Sequence, residues 1–316
     1  MVQKDCITMY NTIIILGPTA SGKTDISINL AKRLNTEVIN ADCMQIYKEL
    51  TIGTAKATPE EQDGVKHHLL DFVDPTSEFS VTDYKEKAMP IITDLISQNK
   101  IPVIVGGTGF YVQSLLTNYD YGNSFKSEEL RAELNQLAEE KGKTAVHNIL
   151  KSIDIESANR IHENDLKRVI RAIEIYKLSG TKKSEINNTM QTDMQNPIKP
   201  LIIVLDRDRE ELYNRINLRV DLMNKAGLID EVKILVKKYN LSIDNQCMQG
   251  IGYKEVLEYL DGQISLEECL DKIKINTRHY AKRQLTWFKH QVDGIWINLS
   301  KINKNEAVDQ IISYLK

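Results

Sequence analysis

The residues Gly17-Pro18-Thr19-Ala20-Ser21-Gly22-Lys23-Thr24 match G-x-x-x-x-G-K-[ST] at every fixed position. In such a loop successive backbone N–H groups converge on an anion, and the positive end of the following helix adds to them. Lys23 is expected on phosphate oxygens and Thr24 on Mg2+. The flanks match this chemistry: Thr12–Leu16 is a β-branched run, and Ile26, Leu30 and Leu34 fall at helical spacing. The loop recognises a di- or triphosphate but leaves the reaction open. A hydrolase would need an apolar strand ending in Asp to hold Mg2+. LIIVLD at 201–206 has that form, although a plain strand end accounts for it equally well.

Other groups could also do chemistry. Asp42 follows a predicted strand, where a carboxylate either accepts a proton or caps a turn. Thr108 sits in the turn Gly106-Gly107-Thr108-Gly109, where backbone can approach a ligand and the hydroxyl can donate and accept. Arg215 and Arg219 are i, i+4 on a predicted helix with apolar face Leu212, Ile216, Val220 and Met223. They share one face, either in solvent or against an anion.

These residues need a scaffold. Strand-like runs at Glu37–Asn40, Ile101–Val105, Leu201–Leu205 and Ile295–Leu299 alternate with helical stretches. The expected fold class is α/β: a P-loop NTPase-like parallel sheet with helices on both faces. The stretch 118–197 shows no strand pattern and predicts an inserted all-helical domain. One of its helices carries Leu130, Leu134 and Leu137 and ends at Gly142. A second opens at Asn164 as N-cap, carries Leu166, Val169, Ile170, Ile173 and Tyr176, and ends at Gly180. Lys183–Pro200 reads as a linker back to the sheet. The expected division is therefore 1–117 plus 198–316 as the core, with 118–197 as the insertion.

Composition narrows the setting. The 316 residues, 41% hydrophobic, suffice for one large core and a smaller module. No run approaches the ~20 apolar residues of a membrane span. The N-terminus lacks a secretory pattern. Cys6, Cys43, Cys247 and Cys269 are scattered and read as reduced thiols, which agrees with a cytoplasmic protein. A net charge of −3 argues against a globally basic nucleic-acid surface. Local clusters at Lys167, Arg168 and Arg171, and at Arg278, Lys282, Arg283 and Lys289, leave room for one. Tyr280, Trp287 and Phe288 follow the apolar face of their helix and read as core.

Four further segments join GPTASGKT: NADCMQIYKELTIGTAKAT (40–58), HHLLDFVDP (67–75), VGGTGFY (105–111) and QGIGYKE (249–255). In this order and spacing they resemble the tRNA dimethylallyltransferases (tRNA isopentenyltransferases) over roughly residues 12–290. The resemblance implies transfer of a dimethylallyl group from dimethylallyl diphosphate to N6 of the adenosine 3′ of the anticodon in tRNA. The products would be N6-isopentenyladenosine and diphosphate. It implies Asp42 as general base, Thr108 beside the reacting nucleotide, and Arg219 rather than Arg215 on the diphosphate. The P-loop and Mg2+ would then hold a leaving group.

RNA contacts implied by the resemblance begin with Asp42, Cys43, Met44, Gln45 and Thr108; the family usually has Ser where Cys43 stands. They continue with Arg131 and the segment Lys167, Arg168, Val169, Ile170 and Arg171. The segment Gln249, Gly250, Ile251, Gly252, Tyr253 and Lys254 is implied too, as are Arg278, Lys282 and Arg283. The expected partner is the tRNA anticodon stem-loop, met by a monomer. The lack of a cysteine/histidine pattern after 290 suggests a stand-alone, bacterial-type enzyme. Rival readings are a P-loop small-molecule kinase, an adenylate isopentenyltransferase and a non-catalytic nucleotide-dependent RNA switch. The basic helices favour a macromolecular acceptor.

Overall fold

Every residue of β1 (Thr12–Leu16) is buried, as a strand covered on both faces requires. The computed structural model describes residues 9–117, 127–188 and 196–315. Two compact units divide the chain: Met1–Leu115 with Pro197–Lys316, and Leu116–Asn196.

In the first unit β1 is followed by α1 (Lys23–Arg33), β2 (Val38–Asn40), α2 (Pro59–Gln62), β3 (His67–His68), α3 (Val81–Ser97), β4 (Val103–Gly106) and α4 (Gly109–Leu116). The second unit contributes α5 (Glu128–Lys141), α6 (Lys143–Ile153), α7 (Ile155–Arg160), α8 (Leu166–Ser179) and α9 (Lys183–Asn188). The chain then returns through β5 (Pro200–Asp206), α10 (Arg209–Lys225), α11 (Leu228–Tyr239), α12 (Tyr253–Leu260), α13 (Leu266–Gln291), β6 (Ile295–Asn298) and α14 (Lys304–Ser313).

The six strands form one parallel sheet in the order β3-β2-β4-β1-β5-β6. Register places Leu16 opposite both Gly106 and Val204, so β1 and β4 end together while β5 runs two residues further, to Asp206. Strand order reverses around β1, and in open α/β sheets ligands bind beyond the strand ends at such a point. Ile13, Ile15, Ile26, Leu30, Val103, Ile203 and Val308 share the core that fixes this edge. β4 begins at Val103 rather than Ile101, because Pro102 has no N–H for the ladder; its carbonyl accepts from Ile13 N–H instead. No described helix is long and apolar enough to cross a membrane.

Among the described residues the named elements of the second unit are all helices, packed around Leu134, Val146, Leu150, Val169 and Ile173. The N-cap of α8 is Asp165, not Asn164, since the Asp165 carboxylate accepts the Arg168 N–H. Part of the expected linker is helical: α9 occupies Lys183–Asn188, and the Ser184 N–H donates to the side chain of Asp154. Residues 189–195 of that linker lie outside the described residues.

Candidate active site

The phosphate loop is held from outside by its carbonyls. Arg215 Nε donates to Ala20 O at 2.9 Å, and Arg207 Nε donates to Ser21 O at 2.9 Å. Lys23 Nζ donates to Gly17 O at 3.0 Å and Pro18 O at 2.8 Å. These contacts pin the loop, and Gly22, in the left-handed region at φ +106°, leads it into α1. Arg207 had no mark in the sequence beyond its charge.

Beyond β2 the chain is shaped by Asn40, whose Oδ1 accepts Asp42 N–H at 3.2 Å and whose Nδ2 donates to Leu69 O at 2.9 Å. Asp42 Oδ1 accepts the Met44 N–H at 2.9 Å and caps the turn, as one of its two sequence readings supposes. Oδ2 accepts no hydrogen bond among the described residues and lies 3.8 Å from where a Cβ on Gly107 would stand. Thr108 closes the pair: its N–H donates to Ala41 O at 3.2 Å, and its Oγ1 accepts from Cys43 N–H at 3.0 Å. That leaves the hydroxyl proton to be donated elsewhere. The sheet thus brings Asp42 and Thr108 together beside the phosphate loop.

Three cations, Lys23, Arg215 and Arg219, border the phosphate loop. Burial pushes the Lys23 ammonium down to about 8; the charge of Asp42 opposes this and that of Arg219 adds to it. Arg219 is itself held below the usual guanidinium range by burial and by Arg215. It makes no hydrogen bond or ion pair among the described residues, whereas Arg215 is engaged by Ala20. Partly buried cations that lower one another's pKa form a site suited to a polyanion.

The same residues fit Mg2+ brought by a diphosphate. The Thr24 hydroxyl is exposed at the first turn of α1 and has no partner among the described residues. No described group of three or more His, Cys, Asp or Glu could hold a metal unaided. Mg2+ commonly takes few protein oxygens and completes its shell with phosphate and water.

The segments read as RNA contacts divide by burial. Gly250 seats the side chain of Met44, so the 42–45 and 249–254 segments meet. Gln45 Nε2 donates to Thr54 O, and Gln249 is exposed. Tyr253, however, is buried with its hydroxyl on Glu231 at 2.8 Å, and Gly252 is buried beside it. Val169 and Ile170 are also core residues, because α8 turns them inward while Lys167 and Arg168 stay exposed. Side-chain contact with RNA is excluded for all three large residues. Arg131 holds the fully buried Glu174 carboxylate in two bonds, 2.8 and 3.0 Å long, and Arg171 pairs with the same group. Both guanidinium groups therefore serve the helical unit's interior.

On α13, Lys282 and Arg283 are exposed and border a concavity of about 580 Å3 with His279, Trp287 and His290. Arg278 lies instead against α10, donating to Asn217 Oδ1 at 2.6 Å. Phe288 is core as expected, but Trp287 is half-buried and Tyr280 likewise. The Trp287 ring seats on Gly109 and meets Phe110, which is 58% exposed, so the two form an aromatic ledge. Gln284 was missed altogether: it is buried and bridges Thr19 to Gly107. Its signal was a polar residue on the apolar stripe of Ala281 and Phe288.

Comparisons with known proteins bear on the family and the fold. The family model described as IPP transferase matches residues 45–291. A tRNA dimethylallyltransferase of Clostridioides difficile is 48% identical over 305 residues, covering 96% of this chain and 97% of that protein. One from Acetivibrio thermocellus is 46% identical over 309 residues, covering 97% of each. The crystal structure of a full-length tRNA isopentenylpyrophosphate transferase from Bacillus halodurans superposes with TM-score 0.71 at 42% identity, covering 97% of each chain. Crystallographic snapshots of a eukaryotic dimethylallyltransferase acting on tRNA give TM-score 0.80 at 32% identity, covering 96% of this chain and 79% of that one.

Proposed function

The chain belongs to the IPP transferase family and is a prenyl-transferring enzyme acting on tRNA, and we propose that it alkylates N6 of the adenosine 3′ of the anticodon with dimethylallyl diphosphate. The observation that carries the mechanism is Asp42 Oδ2, without a hydrogen-bond partner among the described residues, within electrostatic reach of Lys23. An exocyclic adenine amine is a weak nucleophile whose lone pair is delocalised into the ring. A carboxylate within hydrogen-bond reach removes charge as it develops on nitrogen. N6 attacks C1 of the dimethylallyl group, the C1–oxygen bond breaks, and its electron pair leaves with diphosphate. The N6 proton passes to Asp42.

Leaving diphosphate gains charge on its former bridging oxygen. Lys23, Arg219 and the phosphate-loop N–H groups stabilise that charge. Mg2+ bound with the diphosphate, with Thr24 as a protein oxygen, would supply further neutralisation. The Thr108 hydroxyl donates toward the reacting nucleotide. The adenine leaves its stack to reach this point, while Lys167, Arg168, Lys282 and Arg283 contact the RNA backbone. We place the enzyme in the cytoplasm as a monomer.

The test incubates enzyme, unmodified tRNA, dimethylallyl diphosphate and Mg2+, then weighs the digested nucleosides. N6-isopentenyladenosine is expected. Turnover of ATP without that product would replace this reading with a kinase.

A further inference from the structure

We infer that Gln284 is a positioning residue: a side-chain amide that continues the β1–β4 ladder beyond the sheet and sets the distance between leaving-group loop and acceptor site. The inference rests on the prenyl-transfer reading above. Strands β1 and β4 are hydrogen-bonded neighbours whose last registered pair is Leu16 and Gly106. Past that pair the two chains diverge, one into the phosphate loop and the other into the Gly107-Thr108 turn. Gln284 enters between them from α13. Its Oε1 accepts the Thr19 N–H at 3.0 Å, and its Nε2 donates to Gly107 O at 2.9 Å. Only this orientation of the amide satisfies both partners.

A primary amide offers the same acceptor and donor as a peptide group, so Gln284 substitutes for the missing rung. It is 6% exposed, which removes water as an alternative partner. A Cβ on Gly107 would stand 2.3 Å from Nε2, so the close approach needs glycine there. Asp42 Oδ2 lies 3.8 Å from that same Cβ position. Gln284 therefore fixes Thr19 on the diphosphate side against Gly107 on the adenine side. Lys282 and Arg283, on the exposed face of the same helix, are the groups proposed to meet RNA. Docking on α13 and spacing of the two loops thus share one rigid element.

Geometry of this kind acts on the reaction step more than on binding, and a displacement of about 1 Å can cost a hundredfold in rate. Two variants test it, with wild-type enzyme as control. Gln284→Met keeps the volume and removes both hydrogen bonds. Its kcat is expected to fall by about a hundredfold, with KM for dimethylallyl diphosphate and the Kd for tRNA within about threefold. In Gln284→Glu a protonated carboxyl can restore both bonds, while a carboxylate faces the Gly107 carbonyl with a second acceptor. The ratio of its kcat to that of wild type should therefore rise as pH is lowered, and the Met variant should show no such recovery. If Gln284→Met does not fold, the pH dependence of the Glu variant decides alone. A Met variant with wild-type kcat, or a Glu-to-wild-type ratio independent of pH, would overturn the inference. Absence of prenylated tRNA with wild-type enzyme would instead remove the reading on which it rests.

Discussion

Lys23 places a pH limit on substrate binding that can be worked out in advance. Its ammonium rests on the carbonyls of Gly17 and Pro18, and burial brings its pKa from 10.5 to about 8. Binding a diphosphate needs the protonated form, and the anion's charge raises the pKa in the complex. Free enzyme therefore loses the binding form as pH rises through about 8, while the complex retains its proton to higher pH. At about pH 9 only about one-tenth of the free enzyme is protonated, so affinity falls about tenfold, or about 1.4 kcal/mol. The assay is KM for dimethylallyl diphosphate across a pH series at saturating tRNA. KM should stay flat below the break and climb about tenfold per pH unit above it. Lys23→Arg keeps a cation that does not deprotonate in this range and should remove the break. A flat KM well above the break in wild type, or a break unchanged in Lys23→Arg, would refute the assignment.

Four further outcomes follow from the contacts. Arg131→Ala deprives the buried Glu174 carboxylate of its bidentate partner and should destabilise the helical unit by about 3 kcal/mol in urea unfolding. Removing the exposed Lys167 and Arg168 charges together should leave stability unchanged and lower the salt slope of tRNA binding by about 2. Glu231 accepts the N–H groups of Thr51, Ile52 and Gly53 and the Tyr253 hydroxyl, so Glu231→Gln should cost about 2 kcal/mol by the same unfolding measurement. Burial raises the Glu37 pKa, but hydrogen bonds from His68, Lys100 and Lys66 outweigh it and bring it to about 2. Its stabilising contribution is thus complete above about 4.5 and is lost as pH falls toward about 2; unfolding midpoints of Glu37→Gln should depend less on pH across that window.

The fold was legible where the pattern is local. TIIIL before a glycine loop and an amphipathic helix specifies β1 and α1 within a short window, and the parallel order follows from strands alternating with helices. The two-residue β3 was not legible, since a His–His pair carries no β-branched signal. Asp42, Thr108 and Lys23 could be read because their loops carry their own motif. Resemblance, however, selects contiguous segments, and a helix does not present contiguous residues to one partner. Val169 and Ile170 therefore turn into the core beside exposed Lys167 and Arg168. Gln284 and Glu231 escaped for another reason: their partners are 265 and 180 residues away, a distance at which a single sequence gives no pairing signal.

The central claim is that Asp42 takes the proton from N6 while the phosphate loop holds the leaving group. The most direct measurement compares single-turnover prenylation of unmodified tRNA by wild type and Asp42→Asn, alongside tRNA binding. The substituted side chain has a similar shape and can still cap the turn through its amide oxygen, yet it cannot accept the proton. The rate of the variant is expected to be lower by about a hundredfold or more, with tRNA affinity within about threefold. A variant with the wild-type rate, or one whose only loss is tRNA affinity, would contradict it.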